Sequence, residues 1–472
     1  MHAMLNVWLG GNLAGQLHRN EDRTVEFVYD DAYAHDPAST PLSLSMPLTG
    51  VGYGPDVAGP WIENLLPEDS EQRTRWAAHF NEVESDPFTL LRHMGADAPG
   101  AVQILPEGDA PSDEHGAVPL SEAEIAQRVR GIAATGRAWV PSTEGEMPRF
   151  SLAGQQAKFA LARSDGQWLE PTGNTASTHI IKPGMQGITS HGNDDQAVEF
   201  VTMRAARALG LRTAQVAIEY FDGVPAFVTT RYDRLASQTV VQRIHQEDFC
   251  QALALPSSRK YQSDGGPAIH DIARVIRAHS SQPEADIEAF ARAIAFNFLI
   301  AGIDAHAKNY SLLLAGGQVR FAPLYDLISV HGLYDTHAVY HRAKAAMRYG
   351  KEYALRSIGS RNLARTADQL GMGRDVFFDI LTEQARLLPA AMSQALGDLP
   401  ELNISDRVRN MPHATADFSA TVLKNLDLRE PGEQYRPSFL LRAQRGLWIP
   451  GHWSQGTWIP GRYRARAAGT VL

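Results

Sequence analysis

The 472-residue chain is 44% hydrophobic and 21% charged, enough apolar mass to offset the entropy of ordering it, which excludes a globally disordered protein. Its formal net charge of −9 argues against a broadly basic nucleic-acid surface, although six arginines and no acid lie between Arg436 and Leu472, so residues 1–435 carry −15. A single cysteine, Cys250, excludes an intrachain disulfide and a thiolate zinc site, and no segment offers a long uninterrupted apolar run, so a soluble cytoplasmic protein away from the membrane is expected.

In chain order, Asn6-Val7-Trp8-Leu9 and Thr24–Tyr29 alternate as strands, with Gly10-Gly11-Asn12 as a turn, and predict a small β-containing subdomain over residues 1–110. Helical spacing marks Phe88–Met94; Ala101–Leu105 reads as a strand stopped by Pro106, and 106–119 as a linker. Ser121 and Glu124 cap a helix to about Ile132. Strands at 159–162 and 178–182 flank a glycine-containing segment, 165–174. Val198, Val201, Ala205 and Leu209 share one side of a helix over 195–209 that Gly210 closes. Two more strands, Val216–Phe221 and Ala226–Thr230, meet at Asp222-Gly223, and the pattern then turns helical, as at 287–302 and 374–388. The expected fold class is α+β and two-lobed: a β-rich N-lobe over 111–245, a helical C-lobe over 246–410, a cleft between them, and an extension over 411–472. In that extension Trp448-Ile449-Pro450-Gly451-His452-Trp453 is echoed by Trp458-Ile459-Pro460-Gly461-Arg462-Tyr463. The prolines argue for paired turns or short edge strands rather than a helix, and the tryptophans for packing either on the chain's own acidic surface or on a partner.

The chemistry concentrates where an apolar helix runs into Asp304-Ala305-His306-Ala307-Lys308-Asn309. The step from Asp304 to Asn309 suits a kinase catalytic loop, in which the aspartate takes or orients the acceptor's hydroxyl proton and the asparagine oxygen holds a metal. Two strands joined at Gly316-Gly317 then deliver Asp326 back toward Asp304, giving oxygen ligands for Mg²⁺. The plainer alternative is that both aspartates only cap local turns. Lys182, ending a strand, is placed to meet nucleotide phosphates; Glu199 either orients it or stays solvated. Arg149–Lys158 has neither a kinase glycine-rich loop nor a Walker sequence, and reads either as a phosphate-closing loop or as an ordinary strand-turn-strand.

Together the segments Ser151–Lys158, Thr178–Pro183, Gln246–Gln251, Lys260-Tyr261-Gln262-Ser263-Asp264-Gly265-Gly266-Pro267, Asp304–Asn309 and Tyr325–Ser329 resemble HipA-family signatures in their family order. So do Pro41–Leu48, Glu63–Glu68 and Gly100-Ala101-Val102 upstream, so that the resemblance spans about residues 4–410. It implies a kinase-like fold and an ATP- and Mg²⁺-dependent serine/threonine protein kinase of toxin–antitoxin type. By matching residues, Asp304 resembles the catalytic aspartate, Asn309 and Asp326 the metal ligands, Lys182 the phosphate lysine, and Ala153, Gly154, Gln155, Gln156, Ala157 and Lys158 the phosphate loop. Thr230 to Tyr232 resembles the adenine connector, with Asp233 near the ribose; Gln246, His306 and Tyr325 match other nucleotide-pocket positions. Ser151 matches a self-phosphorylated serine that switches the kinase off. The implied partners are a protein substrate, glutamyl-tRNA synthetase among the candidates, and a small DNA-binding antitoxin, so that contact with DNA is mainly indirect. Gly154–Lys158 lacks the family's glutamate before the lysine, and Thr230-Arg231-Tyr232-Asp233 stands where Glu-Arg-Phe-Asp is commoner. Small-molecule phosphorylation, or nucleotide-responsive binding without turnover, are the competing functions.

Overall fold

A computed structural model describes residues 3–48, 52–112, 115–136, 150–151, 154, 156–184, 193–236, 241–426 and four short strands between 447 and 464. Strands Val25–Tyr29, Asn12–Arg19, Ala3–Leu9 and Val102–Pro106 lie in that order in an antiparallel sheet. Leu5, Val7, Leu17 and Phe27 pack there with Trp61 and Ile62 of helix Pro55–Glu63 and Leu91 of helix Pro87–Met94. These side chains form a core separate from those of the rest of the chain.

The second sheet has six strands, ordered His115–Pro119, Gln167–Gly173, Phe159–Ser164, His179–Pro183, Val224–Thr230 and Gln215–Phe221. Two of these fall in segments expected to be irregular. Asp165 and Gly166 both adopt positive φ (48° and 82°), which makes a two-residue hairpin whose twist suits antiparallel strands. The returning strand buries Trp168 and pairs along its length with His115–Pro119, drawing the end of the supposed linker into the sheet. Helix Asp194–Ala208 packs on the far strands of this sheet and, on its other side, along helix Arg374–Gly397.

The remaining core is helical, built from Ile269–His279, Pro283–Leu299, Ser360–Leu370, Arg374–Gly397 and Asp406–Asn425 around Phe290, Phe296, Leu381 and Met411. Helix Asp406–Asn425 runs across residue 410, and its Val408, Met411 and Val422 are buried. Pro389 and Pro412 both lie inside helices. Each removes one intrahelical hydrogen bond, and packing along the apolar faces outweighs that local loss. A small sheet of His245–Asp248, Ser311–Ala315 and Gln318–Phe321 carries the Gly316-Gly317 hairpin.

In the extension, strands Leu447–Ile449 and Arg462–Arg464 pair around His452–Ser454 and Thr457–Ile459, bringing Trp448 opposite Tyr463 and Trp453 opposite Trp458. This is the strand character expected from the repeat; the packing of its side chains lies outside the described residues. Among the described residues no helix is long and apolar enough to cross a membrane.

Candidate active site

Helix Pro283–Leu299 ends in a tight turn, and the chain then passes Asp304 and a single 3₁₀ turn, Ala307–Asn309, before entering strand Ser311–Ala315. The Asn309 amide donates to the Asp304 carbonyl at 2.7 Å, which closes the loop and leaves the amide oxygen available. The hairpin returns the chain to Asp326, a non-glycine residue held at φ 56°. Asp304, Asn309 and Asp326 line one cavity of about 550 Å³ with Lys158, Lys182 and Glu199.

Lys182 Nζ donates to both oxygens of Glu199, at 2.8 and 3.1 Å, and to Asp326 Oδ1 at 2.6 Å. Glu199 is therefore buried and paired rather than solvated. Burial works against the Lys182 ammonium, but the two carboxylates outweigh it and keep the proton on. Burial likewise opposes ionisation of Asp326, and Lys182 and Lys158 hold its carboxyl below the usual carboxylate range. Lys158 has no such surplus of partners: burial first, and then Lys182, push it down to about 8. Burial pushes the Asp304 carboxyl up, and drives His306 down to about 3, so that its imidazole is neutral.

An amide oxygen and a carboxylate form a hard, oxygen-only donor set, which fits Mg²⁺ held jointly with substrate phosphates and water. Among the described residues no group of three or more His, Cys, Asp or Glu side chains forms a protein-only metal cage. A shared Mg²⁺ site needs none.

Of the proposed phosphate loop, Gly154, Gln156 and Lys158 line the cavity, Ala157 is buried, and Ala153 and Gln155 lie outside the described residues. Gly154 sits at φ 110°, a backbone conformation that strains any L side chain, so glycine suits this position beside Lys158 Nζ. Thr230, Tyr232, Gln246, His306 and Tyr325 line the same cavity. The Tyr232 and Tyr325 rings stack at 5.7 Å, and Tyr232 donates to Gln246 Oε1. Asp233 also borders it, but its carboxylate accepts from Arg231 at 2.9 and 3.0 Å and from the Gly100 N–H at 2.7 Å. It serves as a structural node before any ribose contact. Ser151 is not in the cavity lining: it is fully buried, with its hydroxyl donating to the Leu65 carbonyl.

The HipA N-terminal domain family matches residues 5–105 and the HipA-like C-terminal domain family matches residues 150–392. The chain belongs to the HipA family. Among HipA relatives, Y4mE, a candidate kinase of Sinorhizobium fredii, is 33% identical over 88% of this chain and 97% of its own length. The serine/threonine-protein kinase toxin HipA of Shewanella oneidensis is 30% identical over 84% of this chain and 90% of its own. The solved complex of Shewanella oneidensis HipA with HipB and operator DNA aligns with a TM-score of 0.76 at 27% identity, covering 90% of this chain and 98% of that one. The α+β fold is thus the kinase-like HipA fold.

Several residues of this site escape a reading of the sequence. Lys308 donates to Asn64 Oδ1 at 2.6 Å and Asp248 Oδ2 at 2.9 Å, and Lys260 donates to Glu68 Oε2 at 2.6 Å. Asn64 and Glu68 belong to the Glu63–Glu68 segment, so the N-terminal part of this HipA-family chain braces the Asp304–Asn309 loop directly. The available signal was the shared resemblance of both segments to the family, which gave no pairing.

Proposed function

We propose that this HipA-family chain transfers the γ-phosphoryl group of ATP to a serine or threonine hydroxyl of a protein. The observation that carries the reading is the convergence of Asp304, Asn309, Asp326 and the Lys182–Glu199 pair on one cavity, in a chain related to a serine/threonine-protein kinase. Lys182 is placed to neutralise phosphate charge, with Glu199 fixing its direction, and Lys158 and the backbone around Gly154 supply donors beside it. Asp304 takes the acceptor's hydroxyl proton as the new oxygen–phosphorus bond forms and the bond to ADP breaks. Asn309 and Asp326 would hold Mg²⁺, which when bound neutralises charge on the phosphates. Tyr232 and Tyr325 offer aromatic surface for the base.

The acceptor is a cellular protein, with glutamyl-tRNA synthetase one candidate, and the toxin's partner is a small DNA-binding antitoxin, as suggested by the relative solved with HipB and operator DNA. Ser151 is read as the self-phosphorylation site. A phosphoserine has no room where Ser151 has no exposed surface, so modification displaces the following phosphate loop, residues 153–158, and switches transfer off.

Incubating the protein with labelled ATP, Mg²⁺ and a cell extract tests the reading. A labelled protein band is expected. A labelled metabolite would point to a small-molecule kinase, and nucleotide binding without transfer to a nucleotide-responsive binding protein.

A further inference from the structure

The segment Lys260–Pro267 has no part in the phosphate chemistry above, yet it is wound tightly against the catalytic loop. Gly265 takes φ 88°, and a Cβ on Gly266 would lie 2.1 Å from the Arg259 carbonyl oxygen and 2.7 Å from that of Tyr261. Only glycine permits that winding. Gly266 N–H closes it by donating to the Tyr261 carbonyl at 2.9 Å, and the Lys260 carbonyl accepts from Ala307 N–H at 3.2 Å. The result projects Tyr261 at Asp304, and its hydroxyl donates to Asp304 Oδ1. The ring stands edge-on to His306 at 4.9 Å, while Lys260 Nζ lies 5.3 Å from the ring centre and pairs with Glu68.

Asp304 needs such a hold. Its side chain is 55% exposed, on a loop, with free rotation about two bonds. Among the described residues Tyr261 is the side chain that hydrogen-bonds its carboxylate; His306 Nε2 stands 3.7 Å away. An acceptor hydroxyl must meet that carboxylate at a defined point, and misplacement by about 1 Å costs on the order of 10²-fold in rate.

We propose that Tyr261 is a positioning residue for phosphoryl transfer: it anchors one oxygen of Asp304 so that the other faces the acceptor hydroxyl and takes its proton. The Lys260–Glu68 pair fixes this clasp to the N-terminal part of the chain. The inference rests on the kinase reading of the same site and assigns a role that the phosphate-binding residues do not fill.

The test uses the full-length Tyr261→Phe protein, with Asp304→Ala in parallel, measuring initial rates of label transfer from Mg²⁺-ATP to the extract acceptor. At saturating ATP the Tyr261→Phe rate should fall at least about tenfold, with the KM for ATP within about twofold of wild type and the melting temperature unchanged. A rate equal to wild type beside an inactive Asp304→Ala protein overturns the role of Tyr261 and leaves the kinase reading standing. Joint loss of rate, ATP affinity and melting temperature also overturns it, because Tyr261 would then be only a structural support. Full activity of Asp304→Ala would overturn both readings together.

Discussion

At Asp326 the backbone enters the left-handed region, φ 56°, a conformation that costs a non-glycine residue about 1 kcal/mol or more and that aspartate tolerates better than most. The turn aims the carboxylate at Lys182, and the hydrogen bond at 2.6 Å helps to offset the strain. Asp304, Asn309 and Asp326 were legible in the sequence because their spacing and the Gly316-Gly317 hairpin are local. Glu199 was legible only as one of two alternatives, and Glu68 and Tyr261 had no assigned partner, since each acts through a residue that only the tertiary fold brings near; Lys260 and Glu68 are 192 positions apart. Ser151 shows the converse. Its place beside the phosphate loop was readable, and its complete burial was not. On the proposed switch, mass spectrometry of protein incubated with Mg²⁺-ATP should find phosphate on Ser151 in the wild type and none in Asp304→Ala. Cleavage near residues 150–158 by a protease should rise with the phosphorylated fraction, and an unmodified Ser151 in actively transferring protein would contradict the switch.

Strand His245–Asp248 carries three successive residues with three separate tasks. Gln246 meets Tyr232 in the cavity, Glu247 accepts from Leu44 N–H at 2.9 Å and contacts the Ser43 hydroxyl, and Asp248 receives Lys308. Alternation of side chains along the strand makes this division possible. Burial pushes the Glu247 carboxyl up to about 8, opposed in part by its bonds to Ser43 and Leu44. The folded state therefore holds this proton more tightly than the unfolded chain does. Its stabilising effect is full below the unfolded value of about 4.3 and is lost as pH rises toward and through 8. Glutamine mimics the protonated acid, accepting from Leu44 and donating to Ser43. Thermal melts of Glu247→Gln should match wild type near pH 5 and exceed it at pH 9 by about 1 kcal/mol or more; a constant difference between the two proteins at all pH values would contradict the shift. Element boundaries were less legible than this local chemistry. The Asp165-Gly166 hairpin carried a recognisable turn pair, whereas helix Asp406–Asn425 was obscured by Pro412 and recovered only by burial along its apolar face.

Across the whole molecule, the N-terminal sheet and the rest of the chain are joined by a buried charge network. Asp97 accepts from Arg234 at 2.9 Å and from Ser177 N–H at 3.1 Å, and lies 3.6 Å from Arg231 and 3.9 Å from Arg243. With Asp233 it sets two carboxylates among three guanidinium groups, all nearly out of water. Removing one carboxylate leaves uncompensated buried charge, so Asp97→Ala should cost about 3–5 kcal/mol in urea unfolding and speed proteolytic release of the N-terminal part. A change within about 0.5 kcal/mol would mean that the network contributes little. The same union lets Asn64 and Glu68 meet Lys308 and Lys260 beside the loop that carries Asp304 and Asn309. The most direct measurement of the central claim compares wild type, Asp304→Ala and Asp326→Ala for Mg²⁺-ATP binding and for label transfer to protein in a cell extract. Transfer is expected from wild type alone, with near-normal ATP affinity in Asp304→Ala and weakened Mg²⁺-dependent binding in Asp326→Ala. Substantial transfer to protein by purified Asp304→Ala would contradict it.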